Sequence, residues 1–120
     1  MRAHIGKSST LRRALASSVG QTVRLSLDDV HRLCMQTLTA AGLHEASTRA
    51  TADTITAAER DGCKSHGLFR LPHIVDGIRL GKVSTTTVPV VHDTAPGALR
   101  VDAQCGMSSL GTKARPEPEA

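Results

Sequence analysis

Large aromatic side chains are almost missing from this sequence: it holds one Phe, Phe69, and neither Trp nor Tyr. Aromatic rings bury the most area per residue, so any core must rest on Leu, Val, Ile and Ala. That predicts either low stability for the 120-residue chain or a partner surface still to be supplied. Paired cysteines are missing too. Cys34, Cys63 and Cys105 are odd in number and far apart, which implies no disulfide framework and points to a reducing, cytoplasmic setting. No apolar run approaches the ~18 residues of a membrane span, and the first 22 residues contain no signal-type apolar stretch. Acids are absent from residues 1–24, which carry Arg2, Lys7, Arg12, Arg13 and Arg24. The remainder carries ten basic and eleven acidic groups, so the net charge of +4 belongs to the arm. A nucleic-acid domain would instead place a basic stripe on its folded face, and no nucleic-acid or membrane partner is expected.

Residues 1–22 read as a basic disordered arm, too poor in apolar side chains to order itself. Their Ser- and Arg-rich, acid-free composition, with Leu11, Leu15 and Val19 on one potential helical face, also fits a transit peptide. Ser26 followed by Asp29 forms a capping box, and Val30, Leu33, Cys34, Leu38 and Ala41 then recur at helical spacing. Gly42 supplies a left-handed terminator. A second helix is predicted from about Glu45 to Asp61, with Ala46, Ala50, Ala57 and Ala58 as a small-residue face that also takes in Asp53 and Thr54. Gly62 breaks it. A third helix begins near Phe69, tolerates Pro72 in its first turn and buries Leu71, Ile74, Val75 and Ile78. Residues 83–97 are rich in Thr and Pro, with Pro89–His92 as a short edge strand, and Ala98–Asp102 reads as another strand. Residues 107–120 show no periodicity and end in Pro-Glu alternation, which predicts a disordered tail.

The reactive residue types concentrate in Gly62-Cys63-Lys64-Ser65-His66-Gly67-Leu68-Phe69-Arg70-Leu71-Pro72. This segment joins two helices and ends at a helix N-terminus, where free N–H groups favour an anion. Ser65 offers a hydroxyl. His66 exchanges a proton near neutral pH. Arg70 follows His66 by four positions, so a helical turn would bring both to one side, with the guanidinium able to grip a carboxylate. A 2-hydroxy or 2-keto acid needs one group on the carboxylate and another on the proton that moves with the hydride. Spacing alone leaves other readings open. Ser65 can cap the third helix, His66 can be a solvated turn residue, and Arg70 can pair with Asp61 or Asp76. There is no G-x-G-x-x-G fingerprint, Leu68 stands where a P-loop needs Lys, and Cys63, His66 and His73 make a poor metal set, so no metal is expected. Cys63 as a nucleophile has only His66 nearby in sequence as a base.

The segments Val23–Ser26, Ala40–Leu43, Ala50–Asp53 and above all Asp61–Pro72 resemble the start of the malate/L-lactate dehydrogenase family. Gly77, Arg79, Gly81, Lys82 and the stretch Ala98–Gly106 are similar to its continuation. That family also includes sulfolactate, ureidoglycolate and diketogulonate oxidoreductases and cyclic imino-acid reductases. The resemblance covers residues 23–106, about the first quarter of a member. It implies an α/β fold unlike the Rossmann type, of which this stretch is the mainly α-helical N-terminal part, with three helices and one or two short strands. It implies an NAD- or NADP-dependent oxidoreductase acting on a small 2-hydroxy or 2-keto acid, or a related cyclic imino acid, and working as a homodimer. It assigns His66 to catalysis beside the nicotinamide, Ser65 and His66 to the cofactor, and Arg70 to the substrate. Two departures stand out. Where the family usually reads Asn-Gly-Phe, this chain reads Cys105-Gly106-Met107, followed by a polar tail, and the family's second histidine element is absent. These imply a truncated product, inactive by itself.

Two other readings compete. One is a non-catalytic helical module that pairs with an intact family subunit through its Ala-rich face. The other is nucleic-acid binding through residues 1–24, testable by its salt sensitivity.

Overall fold

The computed structural model describes Gly20 and residues 22–113. The basic arm, apart from Gly20, Thr22 and the adjoining Arg24, and the last seven residues lie outside that range, and with them most of the arm and part of the tail expected to be disordered.

Helix α1 spans Leu27–Ala40 and α2 spans Glu45–Arg60. Two 3-10 turns, Lys64–His66 and Leu68–Arg70, lead into α3 at Leu71–Arg79. Strands β1 (Val90–Ala95) and β2 (Ala98–Asp102) form an antiparallel hairpin, and a short α4 spans Ser108–Lys113.

The capping box closes as its sequence requires. The Ser26 hydroxyl accepts from the Asp29 N–H at 3.1 Å, and the Asp29 carboxylate accepts from the Ser26 N–H at 3.3 Å. This fixes the start of α1 by satisfying two otherwise orphan donors. Among the described residues, all three long helices end the same way. Gly42, Gly62 and Gly81 each sit just past the C-cap at positive φ. Each following residue donates back into its helix: Leu43 to Leu38, Cys63 to Ala58 and Lys82 to Gly77. A side chain at these glycines would meet the left-handed penalty.

The core is small and aliphatic. Val30, Cys34, Leu38, Leu43, Ala52, Ile55 and Leu71 form it, with Met35, Leu68, Ile74, Ile78 and Met107 packed at its margin. Phe69 is 68% exposed and takes no part. Leu33, expected on the buried stripe of α1, is exposed. The buried face of α2 also differs from the expected Ala stripe. Ala46 is exposed and Ala57 and Ala58 are half-buried, whereas Ser47, Thr48, Ala50, Thr51, Ala52 and Ile55 are buried. Polar residues serve inside because their hydroxyls are satisfied locally. Thr48 donates to the Leu43 carbonyl at 3.1 Å, and Ser47 bonds the His44 ring at 2.9 Å.

The hairpin is longer than the sequence suggested. Pro96-Gly97 makes a two-residue turn with Gly97 at φ +77°, which carries β1 on to Ala95. Val91 faces Val101 and Asp93 faces Leu99, with a bulge between Asp93 and Ala95. Val90, Leu99 and Val101 remain exposed.

Residues 108–113, expected to lack order, wind into α4. Ser and Gly are poor helix formers, so packing decides. Gly111 is buried so close to β2 that an added Cβ would lie 2.9 Å from a Val101 methyl. Lys113 bonds the Asp53 carboxylate, whose other oxygen lies 2.8 Å from His31 Nε2. The Lys113 bond foremost, and His31 after it, hold Asp53 below the usual carboxylate range. One carboxylate thus ties α1, α2 and α4.

Gln104 and Cys105 both adopt positive φ, +50° and +61°. Asn tolerates that region far better than Cys. Cys105 is exposed, so its thiol leaves little packing to lose. Cys105→Asn is expected to raise stability by roughly 0.5–1 kcal/mol, read as a higher urea midpoint. A lower midpoint would show the left-handed backbone not to be strained.

Candidate functional site

The turn between α2 and α3 is built from both ends. The Gly62 terminator turns the chain out of α2. Residues Lys64–His66 then wind once, with the His66 N–H donating to the Cys63 carbonyl at 2.9 Å. Gly67, at φ −88° and ψ −143°, interrupts the winding before Leu68–Arg70 leads into α3. His66 and Arg70 therefore do not share one continuous helical turn, as their four-residue spacing had suggested.

Ser65 and His66 are coupled directly. The Ser65 hydroxyl lies 3.0 Å from His66 Nδ1, and both residues are exposed, as is Arg70. The capping alternative for Ser65 does not hold, because the N-cap of α3 is Arg70 and no side chain caps the helix. Nor is Arg70 engaged by an acid: Asp61 pairs with Arg60 at 2.8 Å, and among the described residues no ion pair includes Arg70. Phe69 leans on His73 with ring centroids 5.5 Å apart.

Glu59, in the last turn of α2, was not singled out by the sequence, yet it holds this turn. One carboxylate oxygen accepts from the Leu68 N–H at 2.8 Å and the other from Lys64 Nζ at 2.6 Å. Its side chain is 14% exposed. The Lys64 ammonium first, and the Leu68 N–H after it, hold the carboxyl below its ordinary range. Gly67 makes room: a Cβ there would fall 2.1 Å from a Glu59 oxygen. The available signal was a glycine directly after His66 with an acid one helical turn before Cys63.

Ser hydroxyl, imidazole and guanidinium on one exposed turn suit the carboxylate of a small acid or the carboxamide of a nicotinamide. The diphosphate of a nucleotide would need other residues, since the sequence has no glycine fingerprint. Another hollow lies away from this turn. It measures about 830 Å³ and is lined by Asp93–Leu99 of the hairpin with Val101, Gly111 and Thr112. Asp93 is its one ionisable group, so it offers little chemistry. Among the described residues no group of three His, Cys, Asp or Glu side chains gathers as a metal site, and no helix is long and apolar enough to cross a membrane.

Known proteins resemble this chain in sequence and in fold. The chain is 46% identical over 93 residues to the Delta(1)-pyrroline-2-carboxylate reductase of Ancylobacter novellus, covering 78% of this chain and 27% of that protein. It is 45% identical over 86 residues to the Delta(1)-pyrroline-2-carboxylate/Delta(1)-piperideine-2-carboxylate reductase of Pseudomonas aeruginosa, covering 72% and 26%. The chain thus spans about a quarter of the length of these curated relatives. The crystal structure of delta1-piperideine-2-carboxylate reductase from Pseudomonas syringae superimposes with a TM-score of 0.71 at 30% identity, over 78% of this chain and 28% of that one. Malate dehydrogenase from Pyrococcus horikoshii gives 0.68 at 27% identity, over 76% and 26%. The family match runs from residue 25 to 115, past the residue 106 at which the likeness was expected to stop, and so takes in α4. With three quarters of its length matched, the chain belongs to the malate/L-lactate dehydrogenase family.

Proposed function

We propose that this chain provides the Ser65–His66–Arg70 turn of an NAD(P)-dependent reductase whose substrate is a small cyclic imino acid bearing a 2-carboxylate. A 2-keto or 2-hydroxy acid is the other member of the same class. The observation that carries this reading is the exposed Ser65–His66 pair on a braced turn, with Arg70 four residues on and paired with no acid among the described residues. The bound nicotinamide would supply the hydride. Ser65 engages Nδ1 of His66 and orients the ring, which leaves Nε2 for proton exchange as the substrate is reduced. Ser65 and His66 would also contact the nicotinamide end of the cofactor. Arg70 would hold the carboxylate that imino, keto and hydroxy acids share. The named reductases among the relatives favour the imino acid. The reading includes a homodimer. Of the small-residue face on which the interaction-module alternative rests, Ala50 is buried within the chain, while Ala46 is exposed and Ala57 and Ala58 are half-buried.

The 120-residue chain by itself is expected to show no robust nicotinamide oxidation with a cyclic imino acid, pyruvate or oxaloacetate. Positioned groups accelerate a reaction only when held against the reacting atoms, and an exposed Arg is screened by water and salt. Grafted in place of the matching segment of the Pseudomonas aeruginosa reductase, residues 23–113 should sustain turnover. In that chimera His66→Ala should cut kcat by about 100-fold or more, while Arg70→Lys should chiefly raise KM, because Lys loses the planar fork. Unchanged rates in both variants would remove the turn from the mechanism.

A further inference from the structure

We propose that Glu59 is a positioning residue, a clamp that sets the Ser65–His66 pair in its working geometry. The inference rests on the functional reading above. Its structural half can be tested without that reading.

The carboxylate closes on both sides of the pair. Oε2 accepts from the ammonium of Lys64, immediately before Ser65, and Oε1 accepts from the N–H of Leu68, two residues after His66. Only Ser65, His66 and Gly67 lie between the two grips. Gly67 is part of the same device, since the space of its absent side chain is filled by the Glu59 carboxylate, with a would-be Cβ 2.1 Å from Oε1 and 2.6 Å from Cδ. Any side chain at 67 would expel the clamp. Exposure points the same way. Glu59 is 14% exposed, whereas Lys64, its charge partner, is 77% exposed. The acid is largely covered by the turn, and the base meets it from the exposed side. Charge-assisted bonds of this kind are the stronger ones, and one of these acts on backbone, so it constrains the chain itself. Without the clamp, Ser65 and His66 would sit on a loop held by a few backbone bonds, and the 3.0 Å contact to Nδ1 would become one conformer among many. Glu59 acts through the turn, by its bonds to Lys64 and Leu68.

The test is nuclear magnetic resonance on the 120-residue chain, comparing wild type, Glu59→Gln and Glu59→Ala. Gln keeps an acceptor for the Leu68 N–H and loses the ion pair; Ala loses both. Leu68 amide exchange should quicken roughly tenfold or more in Glu59→Ala and be largely restored in Glu59→Gln. The His66 ring nitrogens should move from a distinct Nδ1-bonded pattern in wild type towards free-histidine values, furthest in Glu59→Ala. The Ile55 amide, inside the core, should exchange as in wild type. Equal Leu68 exchange and unmoved His66 nitrogens across the three proteins would overturn the proposal. Should Glu59→Ala lose protection at Ile55 as well, Glu59→Gln decides: a shift of the His66 nitrogens with Ile55 protected supports the clamp, and no shift overturns it. Turnover of the chimera with the Pseudomonas aeruginosa reductase judges the functional reading separately. Unchanged rates there in His66→Ala and Arg70→Lys count against the reductase assignment and leave the clamp to be decided by Leu68 and His66.

Discussion

Leu38→Ala is expected to cost about 3–5 kcal/mol and to leave much of the chain unfolded at ambient temperature. Leu38 is 0% exposed and lies among Cys34, Leu43, Ala52 and Ile55. Removing a buried Leu loses its transfer free energy and opens a cavity that neighbours only partly fill. In a core with large aromatic side chains, the remaining contacts would absorb such a loss. Here the one Phe is outside, and among the described residues eight apolar side chains are buried. Small domains are held by margins of the same order as this single change. Phe69→Ala is the matched control. It removes a larger side chain from a site 68% exposed, and should alter stability by no more than roughly 0.5 kcal/mol. Urea unfolding followed by circular dichroism measures both. If Phe69→Ala proved the costlier of the two, the core would be wrongly placed.

How much of this was legible in the sequence depends on whether a feature is local. The α1 cap and the glycine terminators rest on interactions a few residues long, and Ser26, Asp29, Gly42 and Gly62 carried them directly. The candidate site was legible as a cluster of residue types, since Ser65, His66 and Arg70 fall in one short loop. Features that depend on packing were less so. Thr48 and Thr51 are buried in α2 because nearby acceptors and donors satisfy them, and apolar periodicity does not count such residues. Helix α4 follows from a glycine that fits against Val101 and an ion pair sixty residues apart in sequence, neither of which a composition of Ser, Gly and Thr announces. Glu59 was missed for a related reason. Its key partner is a backbone N–H, and in sequence it reads as one more acid on a solvated helix. The left-handed backbone at Cys105 was hidden as well, because Cys gives no turn signal of its own.

Stability is also expected to fall steeply between pH 9 and 11, and Cys34 to be the main cause. Burial, and after it the Glu59 charge, push this thiol up from 9.0 to about 11. Below pH 9 the folded and unfolded states both keep the proton, so the fold retains its full stability. Between 9 and 11 the unfolded chain gives up the proton and the folded chain does not. The unfolded state then binds fewer protons, and stability declines as pH rises. Over that window the loss is about 2–3 kcal/mol at about 1.4 per pH unit. Cys34→Ala removes the titrating group. It should be less stable at neutral pH, because it opens a small cavity, but its stability should decline less from pH 8.5 to 10.5. Lysines and the other two thiols titrate in both proteins, so the difference between the two slopes isolates Cys34. Thiol labelling gives a second reading at neutral pH with no denaturant. Cys63 and Cys105 are exposed and Cys34 is buried, so two thiols should react quickly and the third only as fast as the core opens. Parallel pH profiles for wild type and Cys34→Ala, or three thiols reacting at one rate, would place Cys34 in contact with solvent and contradict the packing of α1 on α2.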